Sequence, residues 1–127
     1  MFDGDIVCEK SFPWLITPAT YSGHYEKIYN ALHAYRGDDN FANKNVRLRC
    51  DFVCESKKLI IEYDERQHFT KARQIALACY DDMPLCYDAK LWEAACNTIN
   101  AKDNVPINRD ETRAYYDSVR DIEAARN

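Results

Sequence analysis

Five residues in the middle of the chain have the types and spacings that hydrolytic chemistry uses: Asp51, Glu62, Asp64, Gln67 and His68. Glu62 and Asp64 stand two apart at the end of the apolar run Leu59-Ile60-Ile61, so in a strand both carboxylates point to one face. Asp51 lies in an alternating segment upstream, separated from that run by the short polar turn Glu55-Ser56-Lys57. Paired strands run about 4.8 Å apart, which lets carboxylates from the two converge. Converging carboxylates repel one another unless a cation neutralises them. Mg²⁺ suits such a place, because it takes one or two carboxylates and fills its remaining positions with water and phosphate oxygens. There it can activate a water and stabilise the charge that grows on a phosphate during hydrolysis. Arg47, Arg49, Arg66, Lys71 and Arg73 flank the acidic group in sequence and suit contact with a phosphodiester backbone. A solvated hairpin face would also carry Asp and Glu. Against that reading, Leu59-Ile60-Ile61 is continuously apolar, the mark of a strand covered on both faces, and charges at the end of a buried strand are costly without a use.

Positioning these residues falls to a hairpin and its flanking helices. Arg47 to Cys54 alternates, with Leu48, Cys50, Phe52 and Cys54 on one side and Arg47, Arg49, Asp51 and Val53 on the other; Lys58 to Asp64 is its partner strand. A helix over 23–35, capped by Ser22, gathers Tyr25, Ile28, Tyr29, Leu32 and Tyr35 on one face, and Gly37-Asp38-Asp39-Asn40 stops it. Thr70 opens a second helix over 71–80 that turns Ile75 and Cys79 inward. A third spans 89–99, with Leu91, Trp92, Ala95 and Ile99 along one side. Asn108 with Glu111 three residues later forms a variant capping box for a last helix reaching Ala125, in which Tyr115, Val119 and Ile122 point inward. On that helix Arg113, Asp117, Arg120 and Asp121 fit i,i+3 and i,i+4 pairing on a solvent-exposed face, and Tyr115 and Tyr116 read as core and rim. Ahead of the first helix, Phe12-Pro13-Trp14-Leu15-Ile16-Thr17-Pro18 reads as extended and packs over an edge of the core, since residues before proline avoid the helical region.

Composition sets the bounds. The chain has 127 residues, 46% apolar and 13% aromatic, enough for one domain with a real core and too apolar for disorder. Within that single α/β domain, residues 1–21 form an extended arm, 22–80 the core motif region and 81–127 a helical part. The apolar runs are too short to cross a membrane, and the acidic start Met1-Phe2-Asp3-Gly4-Asp5 lacks the basic segment of a signal peptide. The expectation is a cytoplasmic protein with no membrane partner. A net charge of −4 argues against coating nucleic acid by bulk charge. Yet residues 44–73 carry eight Lys and Arg against five Asp and Glu, a basic middle within an acidic chain. None of the six cysteines forms a CxxC pair. Cys50 and Cys54, if both lie in one strand, stand about 13 Å apart, too far to share a zinc ion. They read as buried, reduced thiols, and their spacing opposes a zinc-stabilised interaction domain.

The run Arg49-Cys50-Asp51-Phe52-Val53-Cys54-Glu55-Ser56-Lys57-Lys58-Leu59-Ile60-Ile61-Glu62-Tyr63-Asp64-Glu65-Arg66-Gln67-His68-Phe69 resembles the core of the PD-(D/E)XK, or restriction-endonuclease-like, nuclease superfamily. It is most similar to the branch related to very short patch repair endonucleases. There, an Asp-Phe on one strand is followed by a short turn, then by an apolar strand ending in Glu-x-Asp and Gln-His. The resemblance implies an α/β fold in which a mixed sheet with a β-hairpin is flanked by helices. It also implies metal-dependent hydrolysis of DNA phosphodiester bonds, with Mg²⁺ or Mn²⁺ as cofactor. By the same resemblance, Asp51 and Glu62 match the metal carboxylates, and Asp64 stands where many members carry a catalytic Lys. Gln67 and His68 match the polar pair after the strand, and Glu26 matches a helical glutamate that some members add to the metal site. Asp64 in place of Lys, and Glu65 where such relatives often have Gly, are departures from the pattern. The family also has a further strand after its second main helix. The sequence reaches Asn127 without one, so either it is a piece of a longer chain or Met83–Tyr87 takes that place. The first expectation is a Mg²⁺-dependent endodeoxyribonuclease acting on DNA, as a homodimer or within a larger assembly. The alternative is a nuclease-fold module without catalysis that binds nucleic acid or protein inside a larger assembly.

Overall fold

The computed structural model describes residues 6–37, 40–57, 59–62, 66–80, 85, 88–102 and 108–127. Strands β1 (Ile6–Ile16), β2 (Arg47–Cys54) and β3 (Leu59–Ile61) form an antiparallel sheet in that order. The stretch read as an extended arm is therefore an edge strand. It pairs with β2 in one register from Ile6↔Cys54 to Ser11↔Arg49, then slips, so that Ile16 faces Arg47. Pro13 falls within the slip, where a residue with no N–H costs no ladder bond. The hairpin between β2 and β3 forms as its sequence implies. A single 3-10 turn, Glu55–Lys57, leads to the pairs Cys54↔Leu59, Val53↔Ile60 and Phe52↔Ile61.

The alternation of β2 holds at Leu48, Cys50 and Cys54, all buried, and fails at Phe52, which is 39% exposed. Phe52's neighbour across on β1 is Cys8, itself exposed, so the cover over that sheet face is interrupted at this pair. Val53, on the opposite face, is buried instead and belongs with Leu48 and Cys50 to one core.

Four α-helices flank the sheet: α1 (His24–Arg36), α2 (Lys71–Leu77), α3 (Ala89–Ile99) and α4 (Arg109–Arg126). Gly23, not Ser22, stands at the N-cap of α1 with a φ of 57°, a conformation glycine takes without strain; Ser22 supplies only its carbonyl, to the Tyr25 N–H. Gly37 ends α1 in the left-handed region, its N–H donating to His33 O. Thr70 caps α2 as expected, its Oγ1 accepting from the Arg73 N–H at 3.0 Å. Ala72, Arg73, Ala76 and Leu77 face inward there, while Ile75 and Cys79 are only half-buried. The face is rotated because Arg73 points in toward Asp121 on α4. On α3, Cys96 is buried and Leu91 is 67% exposed, so the inward side runs through Trp92, which meets the Phe69 ring, rather than through Leu91. Along α4, Tyr115, Val119 and Ile122 are buried as expected. Asn108 makes no side-chain cap, and Glu111, expected in a capping box, pairs with Arg36 of α1 at 3.3 Å.

α4 packs against α1, α2, β1 and β2, and so closes the core around Leu15, Ile28, Leu32, Phe41 and Tyr115. Each such side chain contributes about 1.5–3 kcal/mol by leaving water. The described strands are all antiparallel; one isolated parallel bridge joins Thr70 to Ala101. Met83–Tyr87, the candidate for a further strand, lies outside the described residues except for Leu85. Among the described residues no helix is long and apolar enough to cross a membrane. Of the cysteines, Cys50, Cys54 and Cys96 are buried thiols in no disulfide, Cys79 is half-buried, Cys8 is exposed, and Cys86 lies outside the described residues. Burial pushes the Cys50 thiol up to about 12 and the Cys96 thiol up to about 11, so neither is a ready thiolate.

Candidate active site

Glu62 follows β3 directly. One more step along the Phe52↔Ile61 register sets it opposite Asp51, whose backbone N–H donates to Glu62 Oε2 at 3.2 Å. The hairpin thus brings together the two carboxylates that its sequence suggests. Like charges directly across a sheet are destabilising. On Glu62, burial first and then a side-chain hydrogen bond with the Asp51 carboxyl push it up to about 7, with the Asp51 charge only the smallest contribution, although Arg120 and the Asp51 N–H act in the other direction. Glu62 Oε1 is buried and accepts no hydrogen bond. The Nε of Arg120, on α4, faces it at 3.6 Å, an ion pair without hydrogen-bond contact.

Arg120 carries the connection onward. Its Nε donates to Arg49 O at 2.9 Å and its Nη1 to Asp117 Oδ1 at 3.2 Å. The other oxygen of Asp117 lies 2.8 Å from His68 Nδ1. His68 sits on a single 3-10 turn, Arg66–His68, which Arg113 ties to α4 by donating to Gln67 O at 3.0 Å. Burial alone would raise the Asp117 carboxyl, but the His68 hydrogen bond and the charges of Arg73, His68 and Arg120 outweigh it and hold it below the usual carboxylate range. An ionised Asp117 only accepts, so His68 Nδ1 carries a proton toward it, and in the neutral ring Nε2 is then the basic nitrogen. Asp51, Glu62, Arg120, Asp117 and His68 therefore form one line of contacts from the hairpin, across α4, to the turn before α2.

The remaining expected residues divide. Asp64 and the side chain of Arg66 lie outside the described residues. Gln67 is half-buried and gives its carbonyl to Arg113. Glu26 is exposed in the first turn of α1, where a negative charge suits the helix dipole. Arg47, Arg49 and Lys71 are exposed, as phosphate contacts must be. Arg73 is a correction: it is buried against Asp121, Tyr80 and Ser118, so its guanidinium is held in the interior. Also corrected is the solvent-exposed face expected for Arg113, Asp117, Arg120 and Asp121, since Asp117 is buried and the other three are half-buried. The available signal was the small pair Ala114 and Ser118 in the buried stripe of α4, which lets a neighbour approach the polar flank beside them.

Among the described residues no group of three or more His, Cys, Asp and Glu side chains is placed to hold a metal ion. Two carboxylates are placed together, one with a buried oxygen lacking a hydrogen bond. That fits a hard divalent ion, which takes few protein oxygens and completes its shell with water and phosphate. No family model, curated protein or solved structure matches the chain.

Proposed function

We propose that the chain is a metal-dependent DNA endonuclease domain with a restriction-endonuclease-like core, hydrolysing phosphodiester bonds. The observation that carries this reading is Glu62: a half-buried carboxylate opposite Asp51, with one buried oxygen that accepts no hydrogen bond. Such a group is costly to keep unless it serves a ligand. Asp51 and Glu62 would hold Mg²⁺ or Mn²⁺, and Asp64 is the further ligand that the motif supplies. A bound ion supplies Lewis acidity toward the phosphate and the attacking water. His68, oriented through Nδ1 by Asp117, takes the water's proton at Nε2. Arg47, Arg49 and Lys71 meet the DNA backbone from the surface.

The test is nicking of supercoiled plasmid in Mg²⁺ or Mn²⁺, with EDTA as the stop. Glu62→Ala should abolish cutting, and so should Asp51→Ala. His68→Asn should slow it by about 10²–10⁴-fold, the usual loss for a positioned general base. If wild type and Glu62→Ala degrade the plasmid equally, the cutting belongs to a contaminant and this reading fails. If neither cuts while both bind DNA, the chain is a nuclease-fold binding module.

A further inference from the structure

Arg120 stands against the group that a divalent ion would seek. Its ion pair with Glu62, at 3.6 Å and without a hydrogen bond, is the loosest of its three contacts. The other two, to Arg49 O and Asp117, do not involve Glu62, so the guanidinium stays held when Glu62 turns to another cation. We propose that Arg120 is a positioning residue of the metal centre: a built-in counter-cation that steadies Glu62 against Asp51 in the metal-free protein and yields Glu62 Oε1 to an arriving divalent ion. This rests on the metal-centre reading above. Two ionised carboxylates on one hairpin end need a positive charge beside them, and a tethered one keeps the site assembled before metal arrives. The same charge repels the incoming ion, which keeps binding exchangeable rather than tight.

Calorimetric titration with Mn²⁺, paired with thermal unfolding, reads both effects. R120Q should bind Mn²⁺ about tenfold more tightly than wild type, because a cation a few ångströms from the ion is gone. Without metal its Tm should fall, and Mn²⁺ should raise it by more than it raises that of wild type. R120K, which keeps the charge, should bind Mn²⁺ as wild type does. R120M repeats the test if R120Q does not fold. Wild type that binds Mn²⁺ while the neutral variants bind it equally or more weakly overturns this inference alone. Wild type that shows neither binding heat nor a Tm shift overturns the metal centre, and the inference with it.

Discussion

Arg73 on α2 and Arg120 on α4 each sit among acidic groups that tie the motif region to the last helix, but Arg73 meets Asp121 at 2.8 Å whereas Arg120 stands 3.6 Å from Glu62. Arg73's side chain is 4% exposed, and its Nη2 meets Asp121 at 2.8 Å while its Nη1 donates to Tyr80 and Ser118. Arg120 is 24% exposed, binds Asp117 and a carbonyl, and leaves the Glu62 oxygen it faces without a hydrogen bond. A buried ion pair returns its desolvation cost only when the contacts are close and complete. The Arg73 cluster comes closer to that condition, with Asp121 and Tyr80 both at 2.8 Å although its Nε is buried without a hydrogen bond, and it serves the fold. At Glu62 the condition is not met: the carboxylate is half-buried, its Oε1 is buried without a hydrogen bond, and the facing cation stands 3.6 Å away, which leaves that oxygen available to a ligand.

The strongest break between the two regions should come from Arg73. Arg73→Met leaves the half-buried Asp121 with the Tyr80 hydroxyl but without its cation, and removing one partner of a buried pair costs up to about 3–5 kcal/mol. Urea unfolding should show that loss, with no change in Mn²⁺ affinity beyond what lower stability imposes. Arg120→Gln should cost distinctly less, because the contact it forfeits with Glu62 is already incomplete. Equal losses for the two variants would collapse the distinction between a matched and an unmatched arginine.

Glu62 sharpens the comparison through pH. Its carboxyl is raised from 4.5 to about 7, so the native state holds that proton more tightly than the unfolded chain does. Stability from this group therefore declines as pH rises from about 4.5 to 7, and above 7 the full cost of the buried charge is present, on the order of 3 kcal/mol. Asp117 works in the opposite direction: its carboxyl is lowered, so its contribution is present at neutral pH and is lost in acid. Without metal, Glu62→Gln should be more stable than wild type at pH 8, with the difference vanishing near pH 4. Mn²⁺ should narrow the gap at pH 8 by stabilising only the wild type. A difference that stays flat across this range would mean that Glu62 is not held as a buried acid against Asp51.

The hairpin was legible because its signals are local. A polar turn between an alternating strand and an apolar one fixes which residues face each other, and the Asp51 and Glu62 contact follows from that register. The Thr70 cap and the bounds of α3 were legible for the same reason. The far half of the site was not. Asp117 and Arg120 meet His68 and Glu62 across dozens of residues, and a helix with acids and arginines beside its apolar stripe looks the same whether water or a neighbour covers that flank. Arg73 misled for a related reason: a charge in a basic run suggests the surface until Asp121 is seen to receive it. Phe52 misled because alternation gives the face and not how far the cover over it extends.

The smallest expected effects fall on the surface, and they separate the two kinds of arginine once more. Arg47, Arg49 and Lys71 are exposed, so a phosphate backbone can reach them, whereas Arg73 is held inside. Each cation that neutralises a phosphate releases counterions, so losing one should reduce the slope of log affinity against log salt by about 0.9. Fluorescence anisotropy with a labelled duplex, repeated across KCl concentrations, measures that slope. Arg49→Ala and Lys71→Ala should each flatten it by about one unit and weaken binding alike for unrelated sequences. The Arg49 carbonyl that receives Arg120 survives the change to Ala, so the Arg120 contact is not removed with the charge. Arg73→Met, measured where it is still folded, should leave the slope as it is in wild type. A slope that flattens with Arg73→Met and not with Arg49→Ala would reverse the assignment, making the interior arginine the DNA contact and the surface ones bystanders.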